Sequence, residues 1–399
     1  MTIYYVAKTG NDSNAGTSLS APKLTIANAC DAADNGSGNI VEIIDSEQYN
    51  EGDIEIYTNP ITVRATGSNK PIMDGDSGNN DYAFEPYISG CVFQGLHMRN
   101  YDDALVNAGT TAAKSFLLSG CIGHYILGPQ QIGGAATGVA EVQDCKIVCE
   151  QRNAFTCTDA NIWFNNSVIA SNAVNYVIDS AQSYTNVTAS FCTIIGSGYN
   201  NSSGRNLNLL NQVYKVRNCI ISGSGNGINA YDSTYNLVHV SNDPFIQWSN
   251  DSWDGTSRSA NTGELTGDPK FVSGSQPGKA DPAAYGNVEF GTQDYSLTAG
   301  NPASGKGVSY GSVTLDIVET TRANPPTIGA YEFTEIWTDY GTEDRLPFDP
   351  DSLAINHYVN VRENQKYRIA KNPEQIPFSR GVKGPSTLRG RKTPYRNDR

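Results

Sequence analysis

A chain of 399 residues with 38% hydrophobic side chains, 39 glycines and a net charge of −13 is too long for one ordinary globular core, and long amphipathic helical periods are scarce in it. The eight cysteines form no CxxC pair and no Cys/His cluster, so a zinc site is not indicated, no cofactor is expected, and no run approaches membrane-spanning length. Charge is unevenly placed: residues 360–399 hold eleven Lys and Arg against three acids, while residues 1–359 hold 17 against 38. An acidic body joined to a basic tail points to an interaction segment.

Residues 1–34 read as an N-terminal cap. The strand IYYVA is followed by the loop KTGNDSNAGTSLSAP and a short helix through LTIANACDAAD, started by Thr25 or Ser20. The opening MTIYYVAKTG shows no basic region, apolar region or cleavage site of a signal peptide, so the expectation is synthesis in a cytoplasm without ordinary secretion.

Residues 35–240 alternate polar and apolar with period two, as in NIVEII, DIEIYT and ITVRAT, which reads as short strands separated by turns. Six segments repeat one pattern, an apolar residue three places before a Cys or Ser, centred on Cys91, Cys121, Cys145, Ser167, Cys192 and Cys219. Their spacings are 30, 24, 22, 25 and 27 residues. Such a period predicts a solenoid of strand-and-turn coils, about eight of them in a rod of about 40 Å. The five cysteines of the pattern should then stack inside as small, reduced, buried side chains.

Several residues in this stretch have chemistry to offer. Lys215 and Arg217 project from one strand face, either as the base and charge stabiliser of a β-eliminating lyase or as two solvating charges. Asp144 with Asp159, or Glu150 with Asp179, lie in neighbouring coils and suit the carboxylate spacing of a glycoside hydrolase, although acids are plentiful here. DGDSGNND at 74–81 has the oxygen density of a calcium loop without its ligand order, and reads equally as a turn. The four histidines are scattered.

Residues 241–334 lose the period and read as a loop-rich segment covering the far end of the rod. Trp248 and Trp253 stand there among Asn, Asp and Ser, a composition suited to stacking a sugar ring, sealing the loop onto the rod or binding a protein. Residues 335–399 carry proline, charge and single aromatics but no periodicity able to close a core. They read as an extended docking arm, with Trp337, Phe348, Tyr358, Tyr367 and Phe378 as spaced anchors. Arg362, Arg368, Arg389, Arg391 and Lys392 are placed to pair with acidic surface. Aromatics are too sparse in the last forty residues to favour nucleic acid.

The opening YYVAKTGNDSNAGTSLSAPKLTIANA resembles the entry motif of right-handed parallel β-helix proteins of the pectate-lyase-like superfold, and GDPKFV, DYSLTAGNPASGKG and TIGAYEF resemble their closing segment. The resemblance covers residues 1–333. It implies an all-β, right-handed parallel β-helix with an N-terminal capping helix and a non-globular C-terminal arm. The superfold hosts lyases, hydrolases, epimerases, adhesins and phage spikes, so function must come from the site. A fold used mostly outside cells, in a chain with no export signal, is reconciled by a phage particle. The expectation is therefore a structural or display component of a virion, a head decoration or tail spike or fibre, with virion proteins, a host-surface glycan and a homo-oligomer such as a trimer as partners. The alternatives are a polysaccharide lyase or glycoside hydrolase on the same scaffold, and a bacterial surface adhesin.

Overall fold

The computed structural model describes residues 1–66, 70–75, 80–102, 104–107, 114–126, 130–133, 139–149, 155–158, 161–171, 178–180, 186–196, 205–209, 215–223, 226–229, 232–240, 260–272, 294–309 and 313–333. The chain divides after Thr334, and the second unit, Glu335–Arg399, lies outside them. The expected docking anchors Trp337, Phe348, Tyr358, Tyr367 and Phe378 and their basic neighbours are all in that unit.

Nearly every described element is a strand, and all strand pairs are parallel, forming a parallel β-solenoid. Each coil contributes one strand to sheet A, then one to sheet B, then one to sheet C or D. Sheet A holds ten strands in chain order, from Ile3–Val6 through Ile40–Ile43, Thr62–Ala65, Cys91–Gln94, Phe116–Ser119, Val139–Gln143, Asn161–Asn165, Asn186–Ser190 and Lys215–Arg217 to Asp232–Thr234. Sheet B also has ten, from Gln48–Tyr49 to Leu265–Thr266. Sheet C comprises Ile54–Ile56, Tyr82–Pro86 and Ala104–Val106, and sheet D takes over from Gln130–Gly133 to Asn226–Asn229.

The helix Ile26–Ala33 closes the N-terminal end. Thr25 caps it, its Oγ1 accepting from the Asn28 N–H, and the buried face Ile26, Ala29, Cys30 and Ala33 packs into the core formed by Val41, Ile43, Ile54 and Ile56. Carboxylates satisfy the remaining N-terminal donors: Glu51 accepts from the N–H groups of Ile26 and Ala27, and Asp12 from those of Leu24 and Thr25. Anions at this end also oppose the helix dipole favourably. Burial nevertheless pushes the Glu51 carboxyl upward from its ordinary value.

At the corner between sheets A and B one position recurs in left-handed conformation, occupied by Gly95, Gly120, Asp144, Asn166, Phe191, Asn218, Tyr235 and Gly263. The residue after each corner points inward, giving the stack Leu96, Cys121, Cys145, Ser167, Cys192, Cys219, Asn236 and Glu264, all buried. The cysteines from Cys121 onward are reduced and buried as expected. The stack is more than apolar filling. The Sγ of Cys145, Cys192 and Cys219 and the Oγ of Ser167 each donate to the carbonyl two residues back. The next member's side chain accepts the backbone N–H of the one before, in Cys121 N–H to Cys145 Sγ, Cys145 N–H to Ser167 Oγ and Cys219 N–H to Asn236 Oδ1. A small side chain that both donates and accepts fits there, which is why Cys, Ser and Asn alternate in it.

Cys91 does not belong to this stack. It pairs with Phe116 at the start of its sheet A strand, and Leu96 stands beneath Cys121, because Ile122 donates to the Leu96 carbonyl in the same way that Lys146 donates to that of Cys121. Cys91 is buried and reduced all the same.

The closing segment is described in part. Leu265–Thr266 is the last described strand of sheet B, and the described residues 294–309 and 313–333 lie on the outer face of that sheet. The physical reason is that this face is apolar. Val148, Val168, Ala170 and Ile195 pack against Tyr295 and Ala330, while Ile220 and Leu237 pack against Leu297, Ala303 and Ile328. Polar pins hold the strap at the corner: Gly329 N–H donates to the Asn218 carbonyl at 2.7 Å, Ala330 N–H to Thr193 Oγ1 at 3.1 Å, and the Asn218 side chain and Val308 backbone exchange two bonds. Gly329 sits at φ +102°, and a Cβ there would lie 2.6 Å from Ile220 Cδ1. Only glycine meets both demands.

His97, on the sheet B strand His97–Arg99, provides a pH test of the packing. Burial lowers its pKa from 6.5 to about 4. Between these values the unfolded chain binds the proton more readily than the folded one, so stability rises with pH through this window and is lost as pH falls through it. His97→Gln should flatten the difference in unfolding midpoint between pH 7 and pH 4.5 relative to the parent. Parallel curves for the two proteins would place His97 in water.

Candidate functional site

On the outer face of sheet A, Trp163 and Lys215 are exposed and Leu117, Glu141, Gln143, Asn165 and Thr188 are half-buried, while Ser190 is buried. Strand alternation sorts the residues of this face into two rows. Register places Thr62, Val92, Leu117, Glu141, Trp163, Thr188 and Lys215 in one row, and Glu42, Arg64, Gln94, Ser119, Gln143, Asn165, Ser190 and Arg217 in the other. The first row has an aromatic ring at its centre. The second is a run of amides and hydroxyls ended by charge.

Trp163 is the focal residue. Its neighbours Ile162 and Phe164 point into the core with no exposure, so alternation turns the indole outward, and it remains 45% exposed. A tryptophan presents an apolar ring face together with a polar N–H, a combination suited to a surface that is half apolar and half hydrogen-bonding. Glu141 and Thr188 are its register partners on either side. Asn165 donates to Glu141 Oε1 at 3.5 Å, linking the two rows beside the ring.

The residues expected from sequence distribute as follows. Lys215 is exposed and Arg217 half-buried, on either side of buried Val216, so both project outward on this face as expected. Lys215 lies two strands from Trp163, about 10 Å at the usual strand spacing. Asp144 is a corner residue rather than a free carboxylate: Gln143 donates to its Oδ2 at 3.0 Å and Asn166 to its Oδ1 at 2.6 Å. Asp159, Glu150, Trp248 and Trp253 lie outside the described residues, and of Asp179 only the backbone strand is described. Asp74, at the start of DGDSGNND, is buried and engaged by Arg99 Nε at 2.8 Å and Asn100 Nδ2 at 2.8 Å, and its carboxylate is therefore spent on structure.

Trp163 was not among the residues singled out from sequence. The signal was present in NIWFNN, where a period-two strand carries one aromatic in phase with its polar positions and another in phase with its core positions.

Among the residues of its two rows whose side chains are described, Glu141 has no second carboxylate at hydrolytic distance. The described carboxylate nearest to it in its two rows is Glu42, which pairs with Arg64 and stands four strands away, about 19 Å. A two-carboxylate hydrolase needs about 5 to 9.5 Å.

The fold is a parallel β-solenoid. No protein-family model matches the sequence, and no curated protein does. Among solved structures, a rhamnogalacturonan lyase is similar, with a TM-score of 0.41 and 11% identity over 75% of this chain and 96% of that one. It transfers no activity and no residue role to this chain.

Proposed function

We propose that this chain is a glycan-binding display scaffold that holds an extended, uncharged saccharide along the outer face of sheet A without cleaving it. The observation that carries this reading is the outward Trp163, 45% exposed in the middle of a regular sheet and flanked by a hydrogen-bonding row. The indole face offers an apolar surface to sugar C–H groups, and Gln143, Asn165 and Thr188 offer donors and acceptors to the hydroxyl edges. The negative body, 17 basic against 38 acidic residues over 1–359, disfavours a polyanionic ligand through long-range repulsion. In this proposal the setting is a virion, the scaffold displays the sheet, and residues 335–399 dock it to acidic surface of a neighbouring virion protein. The support for that setting is the charge asymmetry of the sequence.

Trp163→Ala should weaken binding of a neutral oligosaccharide at least tenfold, about 1.4 kcal/mol, with the unfolding midpoint unchanged. Calorimetry on the full chain with cellohexaose and maltohexaose checks this. Unaltered affinity in the variant removes the site. A second reading, a lyase, is favoured by the outward Lys215 and Arg217. It requires new ultraviolet absorbance from unsaturated sugar ends on incubation with hexagalacturonate, and its loss in Lys215→Ala, a change expected to alter stability by less than about 0.5 kcal/mol.

A further inference from the structure

A second group of exposed aromatics stands at the corner where sheet C leads into sheet A. Tyr57 follows the strand Ile54–Ile56 and Tyr87 follows Tyr82–Pro86, on strands paired in register. Their rings stack with centroids 4.7 Å apart and planes 12° apart, yet they remain 55% and 41% exposed. The stack closes no core. It is, however, held in place: Asp34 accepts the N–H groups of Tyr57, Thr58 and Asn59, which fixes the turn that carries Tyr57.

Three charged groups surround the stack. Glu55 and Glu85 are register partners on adjacent strands, so their backbones are about 4.8 Å apart. Tyr87 donates to Glu55 Oε1 at 3.4 Å and Asn107 to Glu85 Oε1 at 3.1 Å. A carboxylate oxygen pair has about four acceptor sites, so each acid retains capacity for a ligand. Hydrogen bonding to Glu55 pushes the Tyr57 hydroxyl up to about 12. Lys114 is the third group. It is 8% exposed, its Nζ lies 4.7 Å from the centre of the Tyr87 ring, and no acceptor among the described residues takes its protons. Burial lowers the pKa of its ammonium, and the nearby Glu85 carboxylate opposes that shift.

We infer that Tyr57, Tyr87, Glu55, Glu85 and Lys114 form a second saccharide subsite, which takes an uncharged hexopyranosyl unit with vicinal hydroxyls. The outer face of Tyr57 receives the C–H face of the ring. The paired carboxylates accept from adjacent hydroxyls, and Lys114 donates to a ring or hydroxyl oxygen. Two carboxylates against one ammonium oppose an anionic sugar. The inference does not rest on the Trp163 face, because the residues are different and lie on different strands.

Calorimetry with cellohexaose and with maltohexaose on the full chain tests it through stoichiometry. Two sites are expected for the neutral probe that binds, with Tyr57→Ala leaving one, Trp163→Ala leaving one, and the double variant leaving none. Glu55→Gln combined with Glu85→Gln should weaken the Tyr57 site at least tenfold while the rings stay in place. All these side chains are at the surface or its margin, and melting curves are expected to stay with the parent. A single site abolished by Trp163→Ala and indifferent to Tyr57→Ala overturns this inference and leaves the sheet A reading standing. A single site abolished by Tyr57→Ala does the reverse. No binding of either neutral hexasaccharide, or a preference for hexagalacturonate, overturns both.

Discussion

Cys219→Asp is expected to destabilise the rod by about 4 kcal/mol or more, while Cys219→Ser stays within about 1 kcal/mol of the parent. Cys219 has no exposed surface, and burial, with Cys192 beside it, pushes its thiol well above its ordinary value. A carboxylate at this place has no cation to pair with in the stack, and must either ionise in the core or take up a proton at neutral pH. Serine is a different case. The same stack already holds Ser167, whose hydroxyl donates to the Asn165 carbonyl at 2.8 Å and accepts the Cys145 N–H at 3.1 Å. Cys219 makes the equivalent donation to the Arg217 carbonyl at 3.2 Å, so a serine hydroxyl inherits a partner. Denaturant unfolding of the two variants checks the expectation. Equal shifts would mean that the side chain at 219 does not enter the core.

Arg322→Leu is expected to release the strap from sheet B at a cost of about 3 to 5 kcal/mol. The Arg322 and Glu332 side chains are 3% and 1% exposed and lie 3.7 Å apart. The guanidinium also donates to Asn166 Oδ1 at 2.6 Å and to the carbonyls of Leu315, Gly329 and Ala330, with Cζ 4.1 Å from the centre of the Phe191 ring. Leucine supplies none of these donors and leaves the Glu332 charge buried without its partner. Limited proteolysis should cut residues 313–333 in the variant, and a hydrophobic dye should bind as Ile195 and Ile220 become uncovered. Sheet content by circular dichroism should change little. Unchanged protease resistance would show that apolar contact alone secures the strap.

The corner stack explains which parts of the architecture could be read from sequence. Cys121, Cys145, Ser167, Cys192 and Cys219 share a place because the left-handed corner before each favours Gly, Asn or Asp, and those residues are visible as letters. Phe191 breaks that preference, and its buried ring is covered by the Arg322 guanidinium. Cys91 misled because SGC occurs at both 89–91 and 119–121, although only the second is at the corner. Its spacing of 30, longest of the series, was the warning, and Gly95-Leu96 was the true counterpart. The side location of the strap also had a signal. VIA at 168–170, II at 194–195 and CII at 219–221 are apolar at consecutive positions, the mark of strands covered on both faces. A strand covered on one face only alternates, as KVR does at 215–217. The Tyr57 and Tyr87 pair could not be read, since thirty positions separate the two in the chain and only register brings them together.

The strap has a kinetic consequence. A simple solenoid couples each coil to its neighbours, so it can zip from any nucleus and fray from either end. Here, contacts such as Arg322 to Asn166 and Ala330 to Thr193 span 156 and 137 residues, and the residues that make them leave the ribosome after every strand they fasten. The coils must therefore wait, with the apolar outer face of sheet B bare, until the last part of the rod arrives to lock them. Loop closures of that length slow the final step of folding. Once made, the same contacts bind several coils into one cooperative block, and unfolding by peeling from the C-terminal end must first undo the latch.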